Sequence, residues 1–370
     1  MTRTHSRLGL LSAAAAGAGA LTLALASGPA ATAAATPVRA VPCSVPALSA
    51  AISTAPAKTI LVLARGCTYR LTAALPDVGA GLTIDGTGDT ITRTSGVFTM
   101  LTSAGADLSV SDLTFSDADA GTGFAGALAN EGGGTMSLSD VHFSHDSGGL
   151  GGAVTNDLGG VLTVDNCTFR DGTAVGQGGG AIAGTGSLTT VTSSQFTGNT
   201  AGNGGAIDVA GGGTLTIDGA RSAFSGNHAT NEGGAIDVGP GTLSVTGAVF
   251  TGNTAAGGGG AIVYAGLTGP AATIADSGFT GNSTPFSGGA IAAFSSADLS
   301  RDDLSGNTAG SDGGGIYAGG GHIALTTTDV LRNQAKSGGG IYAAASTVSR
   351  DAASLVMLNR PDNCAGTVSC

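Results

Sequence analysis

The sequence predicts an all-β chain: one right-handed parallel β-helix with a short N-terminal capping helix and a disulfide-closed C-terminal cap. Two observations carry this. The first is a period. Variants of Gly-Gly-Ala-Ile end at Leu128, Val154, Ile182, Ile207, Ile236, Ile262, Ile291, Ile316 and Ile341, spaced 25 to 29 residues apart. A fixed period of this length marks stacked units, each too short to bury its own apolar face. The second is alternation within the period. In Leu162-Thr-Val164, Leu243-Ser-Val245 and Ala206-Ile-Asp-Val209 every second residue is apolar, as in a strand with one buried side. No 3.6-residue apolar stripe competes with it. Each coil then has about three short strands, one at Gly-Gly-Ala-Ile, one at Leu-x-Val and one ending at a Phe, joined by Gly, Asn and Asp turns.

Taken in order, residues 1–35 read as a secretory signal peptide. Arg3 and Arg7 precede an Ala/Leu run, and Ala31-Thr-Ala33 is a small-residue cleavage site. Residues 36–58 form a linker and a capping helix around Ala47–Ile52, which would cover the open end of the first coil. Residues 59–358 form the β-helix, and Thr59–Leu63 is expected to begin the first strand. Residues 359–370 form the C-terminal cap. Cys43 and Cys67 flank the first unit and are expected to bridge, as are Cys364 and Cys370, since secretion permits disulfides. Cys167 is left over and falls in an inward slot, where a thiol is buried and unreactive.

Two columns should run along the coils. Phe-x-x-Asn recurs at Phe196, Phe224, Phe250 and Phe279, with Leu304, Val330 and Val356 later in the Phe slot. The Asn residues, from Asn199 through Asn359, would form a buried ladder bonding turn backbone and one another. The slot two residues before the Phe runs Cys167, Ser194, Ser222, Ala248, Ser277, an inward stack of small side chains.

The paired Gly-Gly-Ala-[Ile/Leu/Val] and Phe-x-x-Asn motifs resemble the repeats of chlamydial polymorphic outer-membrane proteins. From about residue 40 onward the chain is similar to secreted actinobacterial right-handed β-helix proteins of the pectin-lyase-like superfamily. The resemblance implies a secreted or cell-wall-associated solenoid. It also implies a function class, since enzymes of that superfamily act on acidic polysaccharides. Lyases among them use calcium-holding carboxylates with an Arg or Lys base.

Composition narrows the field. The chain has 14 Lys and Arg against 25 Asp and Glu, a net charge of −11, which excludes a nucleic-acid binder with its basic footprint. No segment after the leader is apolar enough to span a membrane. Three sets of residues could carry chemistry. Asp208 and Asp237 follow the strand Ile and are expected to face solvent on adjacent coils, where two carboxylates share a proton or hold a metal. Tyr317 and Tyr342 occupy the same column and could stack as a sugar platform. Asp303, Asp329 and Arg332 combine carboxylates for Ca2+ with a base. His142 and His145 are not expected to converge. Polygalacturonase motifs and a nucleophile–His–Asp arrangement are absent.

The expected function is a secreted, monomeric, non-catalytic module that contacts an extracellular polysaccharide or cell-wall polymer, with Ca2+ the one cofactor the residues could hold. Its support is the regularity of the coils, which leaves no long loops to build a cleft. The alternative is a calcium-dependent lyase acting on a uronate-rich polymer, with Arg332 as base and Ca2+ at Asp303 and Asp329 or at Asp208 and Asp237.

Overall fold

The computed structural model describes residues 36–219, 221–266 and 269–368. The expected signal peptide lies outside them. Within them the chain winds as a parallel solenoid, each strand pairing with its counterpart one coil on. Four columns of strands recur rather than three. Leu-x-Val strands such as Val161–Asp165, Leu188–Thr192 and Thr214–Asp218 form one. Phe strands such as Thr168–Arg170 and Gln195–Thr197 form the next. Early coils join these two columns in continuous strands, such as Thr135–Ser144. The Gly-Gly-Ala-Ile strands make an 11-stranded sheet. Between it and the Phe strands lies a 7-stranded sheet of two-residue strands, including Thr200–Ala201 and Thr254–Ala255.

The core is a set of columns. Phe115, Phe143, Phe169, Phe196, Phe224, Phe250 and Phe279 are buried and stack with ring centroids 4.7–5.4 Å apart and planes within 9° of parallel. The coil spacing sets that distance. It exceeds the contact distance of carbon atoms, so the parallel rings slide past one another into offset stacks. Each buried ring contributes roughly 2–3 kcal/mol.

Beside the rings runs the Asn ladder. Asn227 Oδ1 accepts the Asn199 N–H at 3.0 Å and Asn199 Nδ2 at 2.9 Å, while Asn227 Nδ2 donates to Phe196 O and to Asn253 Oδ1. Asn253, Asn282, Asn307 and Asn333 repeat the pattern. Every donor of each amide is used, as burial demands. The small-residue slot makes a second ladder: Ser194 Oγ accepts the Cys167 N–H, and Ser277 Oγ that of Ala248.

The helix spans Val45–Thr54. Ser44 caps it by accepting the Ala47 N–H, and Pro46 sits in the first turn, where no N–H is missed. It buries Leu48, Ala51 and Ile52 on the side facing the first coil. The solenoid starts earlier than the pattern suggests, because Val38–Val41 pairs with Thr59–Leu63. It also runs later: Cys364–Gly366 pairs with Ile341–Ala343, so residues expected to form a cap continue the coil. The Cys43–Cys67 disulfide is present, with Cα atoms 5.6 Å apart. This described bridge is N-terminal. Cys364 is disulfide-bonded, and Cys370, its expected partner, lies outside the described residues.

Candidate functional site

The outer face of the 11-stranded sheet changes character along its length. The residue after each strand Ile runs Ala183, Asp208, Asp237, Val263, Ala292, Tyr317, Tyr342, each in register with the next. Asp208 and Asp237 stack as expected, but they do not face open solvent. Each is only 8% exposed. The Gly-rich turn before each strand packs tightly against that strand's backbone. A Cβ on Gly204 would lie 2.8 Å from Asp208 N, and one on Gly233 2.9 Å from Asp237 N. Neither carboxylate has a hydrogen-bond or ion-pair partner among the described residues. Burial and the facing Asp237 push Asp208 up to about 8; burial and Glu232 push Asp237 up to about 7. Two buried acids with no cation nearby hold protons near neutrality. Among the described residues, no group of three or more His, Cys, Asp and Glu is placed to hold a metal ion.

Toward the C-terminal coils the same column becomes aromatic. Tyr317 and Tyr342 stack with centroids 5.9 Å apart and planes 6° from parallel. Phe294, one coil earlier, meets the Tyr317 ring edge-on at 5.8 Å and is 40% exposed. Gly319 holds this cluster in place: a Cβ there would lie 2.6 Å from the Phe294 ring and 3.0 Å from that of Tyr317. Desolvation raises the Tyr317 hydroxyl pKa, with Asp312 and Tyr342 adding to it, so the phenol stays a neutral donor. The result is a ridge of half-exposed rings, Tyr317 and Tyr342 on the sheet and Phe294 at the bend that follows Ile291–Ala293. Sequence reasoning found the two tyrosines and missed Phe294, which lies outside their column.

The third set divides. Asp303 and Asp329 are register partners on adjacent coils. Arg332 makes no ion pair with either among the described residues. It stands at the following turn, in a cavity it shares with Arg360. Asp302, sequence neighbour of this set, points inward instead. It occupies the small-residue slot, 3% exposed, where Oδ1 accepts the Ser277 N–H at 2.8 Å and Oδ2 has no partner. Burial pushes its carboxyl up to about 7. Arg301 pairs with Asp276 across the coils at 2.6 Å on open surface.

His142 and His145 do not meet: His142 bonds Thr168 Oγ1, and His145 lies 3.8 Å from Asp171. Cys167 is buried, and burial pushes its thiol up to about 12, which leaves it unreactive.

The sequence model described as a right handed beta helix region matches residues 95–304. The chain belongs to this right-handed β-helix family. A Chlamydia polymorphic membrane protein repeat matches residues 303–319, the stretch of the β-helix that leads into Tyr317. Among solved structures, the β-helix is similar to tailspike protein 3 of bacteriophage CBA120 at 14% identity and a TM-score of 0.36, over 88% of this chain and 59% of the tailspike. The chain thus spans little more than half of that protein's length. It is also similar to an alginate lyase from Paenibacillus at 12% identity and a TM-score of 0.27, over 85% of this chain and 99% of the lyase. No curated protein matches the sequence.

Proposed function

We propose that this β-helix works outside the cell or at its surface, without catalysis, as a module that contacts polysaccharide. The observation that carries this is the ridge of Phe294, Tyr317 and Tyr342. Aromatic rings with one apolar face and a polar tip suit the alternating faces and hydroxyls of sugar rings. The sheet beneath holds the two tyrosines without loop ordering, so little entropy is lost on contact. The Chlamydia-type repeat leading into Tyr317 supports a place at a surface.

The lyase alternative needs a base beside a metal-held substrate. Arg332 makes no ion pair with Asp303 or Asp329 among the described residues and lines a cavity that includes neither, and Asp208 and Asp237 are buried.

The test is a panel of polygalacturonate, pectin, alginate and glycosaminoglycans with calcium. Polymer retention is measured alongside ultraviolet absorbance of unsaturated uronates and new reducing ends. We expect retention of at least one polymer, weakened roughly tenfold in Tyr317→Ala and Tyr342→Ala, with no new absorbance or ends. Turnover would overturn the non-catalytic part, and retention indifferent to both tyrosines would overturn the site.

A further inference from the structure

A cavity of about 470 Å³ opens at the corner after the Phe-type strands of the last coils, lined by Arg332, Asn333, Gln334, Leu358, Asn359 and Arg360. The two asparagines belong to the ladder, and their amides are spent. Asn333 Nδ2 donates to Asn359 Oδ1 and Leu304 O, and Asn359 Nδ2 donates to Val330 O and Asn363 Oδ1. The groups free to receive a ligand are the side chains on either side. Arg332 and Arg360 are both exposed. Neither guanidinium makes a hydrogen bond or ion pair among the described residues. In a chain with 25 acids and 14 bases, two bases sharing one cavity without an acid is an electrostatic debt that an anion would settle.

The backbone adds an independent observation. Arg332 sits at φ +53 in the turn position that Gly198, Gly226, Gly252, Gly281 and Gly306 hold in earlier coils at φ +61 to +67. At the last four of these, an added Cβ would meet nothing within 4 Å. Space therefore admits a side chain, and only the left-handed backbone resists it. Asp117, His145 and Asp171 hold this slot in earlier coils and Leu358 holds it one coil on at φ +61, so the turn admits a side chain at a modest backbone cost and presents it outward beside the cavity.

We propose that this corner is an oxyanion site. The Arg332 and Arg360 guanidinium groups hold a carboxylate or sulfate ester of an acidic glycan, and Gln334 supplies a neutral hydrogen bond. The planar guanidinium fork matches either group with paired bonds, and the cavity is of the size that takes a small ligand. Only the source of the oxyanion rests on the polysaccharide reading; the anion chemistry does not.

Two arms test this. Sodium sulfate is titrated while the Arg332 and Arg360 guanidinium NMR signals are followed. An oligogalacturonate, a sulfated oligosaccharide and neutral dextran are titrated by calorimetry at low and high salt. We expect saturable shifts at both arginines and salt-sensitive binding of one acidic oligosaccharide, about tenfold or more above dextran. Arg332→Gln with Arg360→Gln should weaken that binding at least tenfold. Arg332→Gly, which restores the residue of earlier coils, should melt no earlier than wild type yet bind more weakly. Sulfate that shifts both arginines while no glycan binds would keep the site and remove its glycan source. Unmoved arginines, with glycan binding unaffected by these substitutions, would overturn the site and leave the tyrosine ridge standing.

Discussion

Replacing Asp237 with Asn should flatten part of the protein's pH dependence. In the folded chain the Asp237 carboxyl is pushed from 3.8 up to about 7, first by burial and then by Glu232. Below about pH 4 the acid is protonated whether the chain is folded or not, so it costs nothing. Between pH 4 and 7 the unfolded chain releases the proton while the folded chain keeps it. Stability therefore falls as pH rises, and the loss levels off above pH 7. A rise of about three units corresponds to roughly 4 kcal/mol. The Asn variant carries no such charge. It also removes the carboxylate facing Asp208, whose own rise to about 8 owes part of its size to Asp237. Urea unfolding midpoints, taken from pH 4 to 9, read the difference. We expect wild type to lose stability across pH 4–8 and Asp237→Asn to lose several kcal/mol less. Parallel curves for the two proteins, or a wild type more stable at pH 8 than at pH 5, would refute the reasoning.

Other substitutions probe the columns. Asp146 takes the ladder slot between Ala118 and Gly172; its Oδ1 accepts the Ala118 N–H, its Oδ2 has no partner, and burial raises its pKa well above the usual range. Asp146→Asn supplies the amide donor of the other rungs and should raise stability at pH 7 by about 1–2 kcal/mol in chemical denaturation. Asn253→Ala strands the Asn227 N–H and its Nδ2 and should cost about 2–5 kcal/mol by the same measurement. Phe224→Ala opens a gap between rings 4.7 and 4.8 Å away and should cost about 3–5 kcal/mol. Cys167, buried with a raised thiol pKa, should resist a thiol reagent in the folded protein at pH 8 and react fully in denaturant.

Much of the fold was legible because a solenoid writes each contact many times over. The Gly-Gly-Ala-Ile spacing foretold the 11-stranded sheet, and the Asn column foretold its own bonding, since a buried amide repeated every coil has only the next amide to meet. The Thr-Ala strands were missed because two residues carry no alternation to detect. The exposure of Asp208 and Asp237 was misjudged for a different reason. Alternation tells which face of the strand a side chain is on, and not how closely neighbouring turns and coils crowd that face: Val263 and Ala292 in the same column are buried too, while Tyr317 and Tyr342 are half-exposed. The inward position of Asp302 could have been found: the inward slot runs Ser194, Ser222, Ala248, Ser277, and its next member is Asp302. The tyrosine ridge was read correctly as a column, while Phe294 joins it from outside. The cavity around Arg332 and Arg360 comes from the turn geometry and could not be read from spacing alone.

From Phe143 to Phe279 like rings stack in register every 4.7–4.8 Å, and the Asn ladder repeats one residue type per coil from Asn199 to Asn359. That is the repeat of a cross-β fibril, drawn from one chain instead of many. The covalent link supplies each strand's neighbour, so assembly within the intact chain does not depend on concentration. Cleave the solenoid between coils and that protection is lost. Each fragment would expose a Phe and an Asn whose best match is the same pair on another copy, and the contacts that order one molecule would begin to join several.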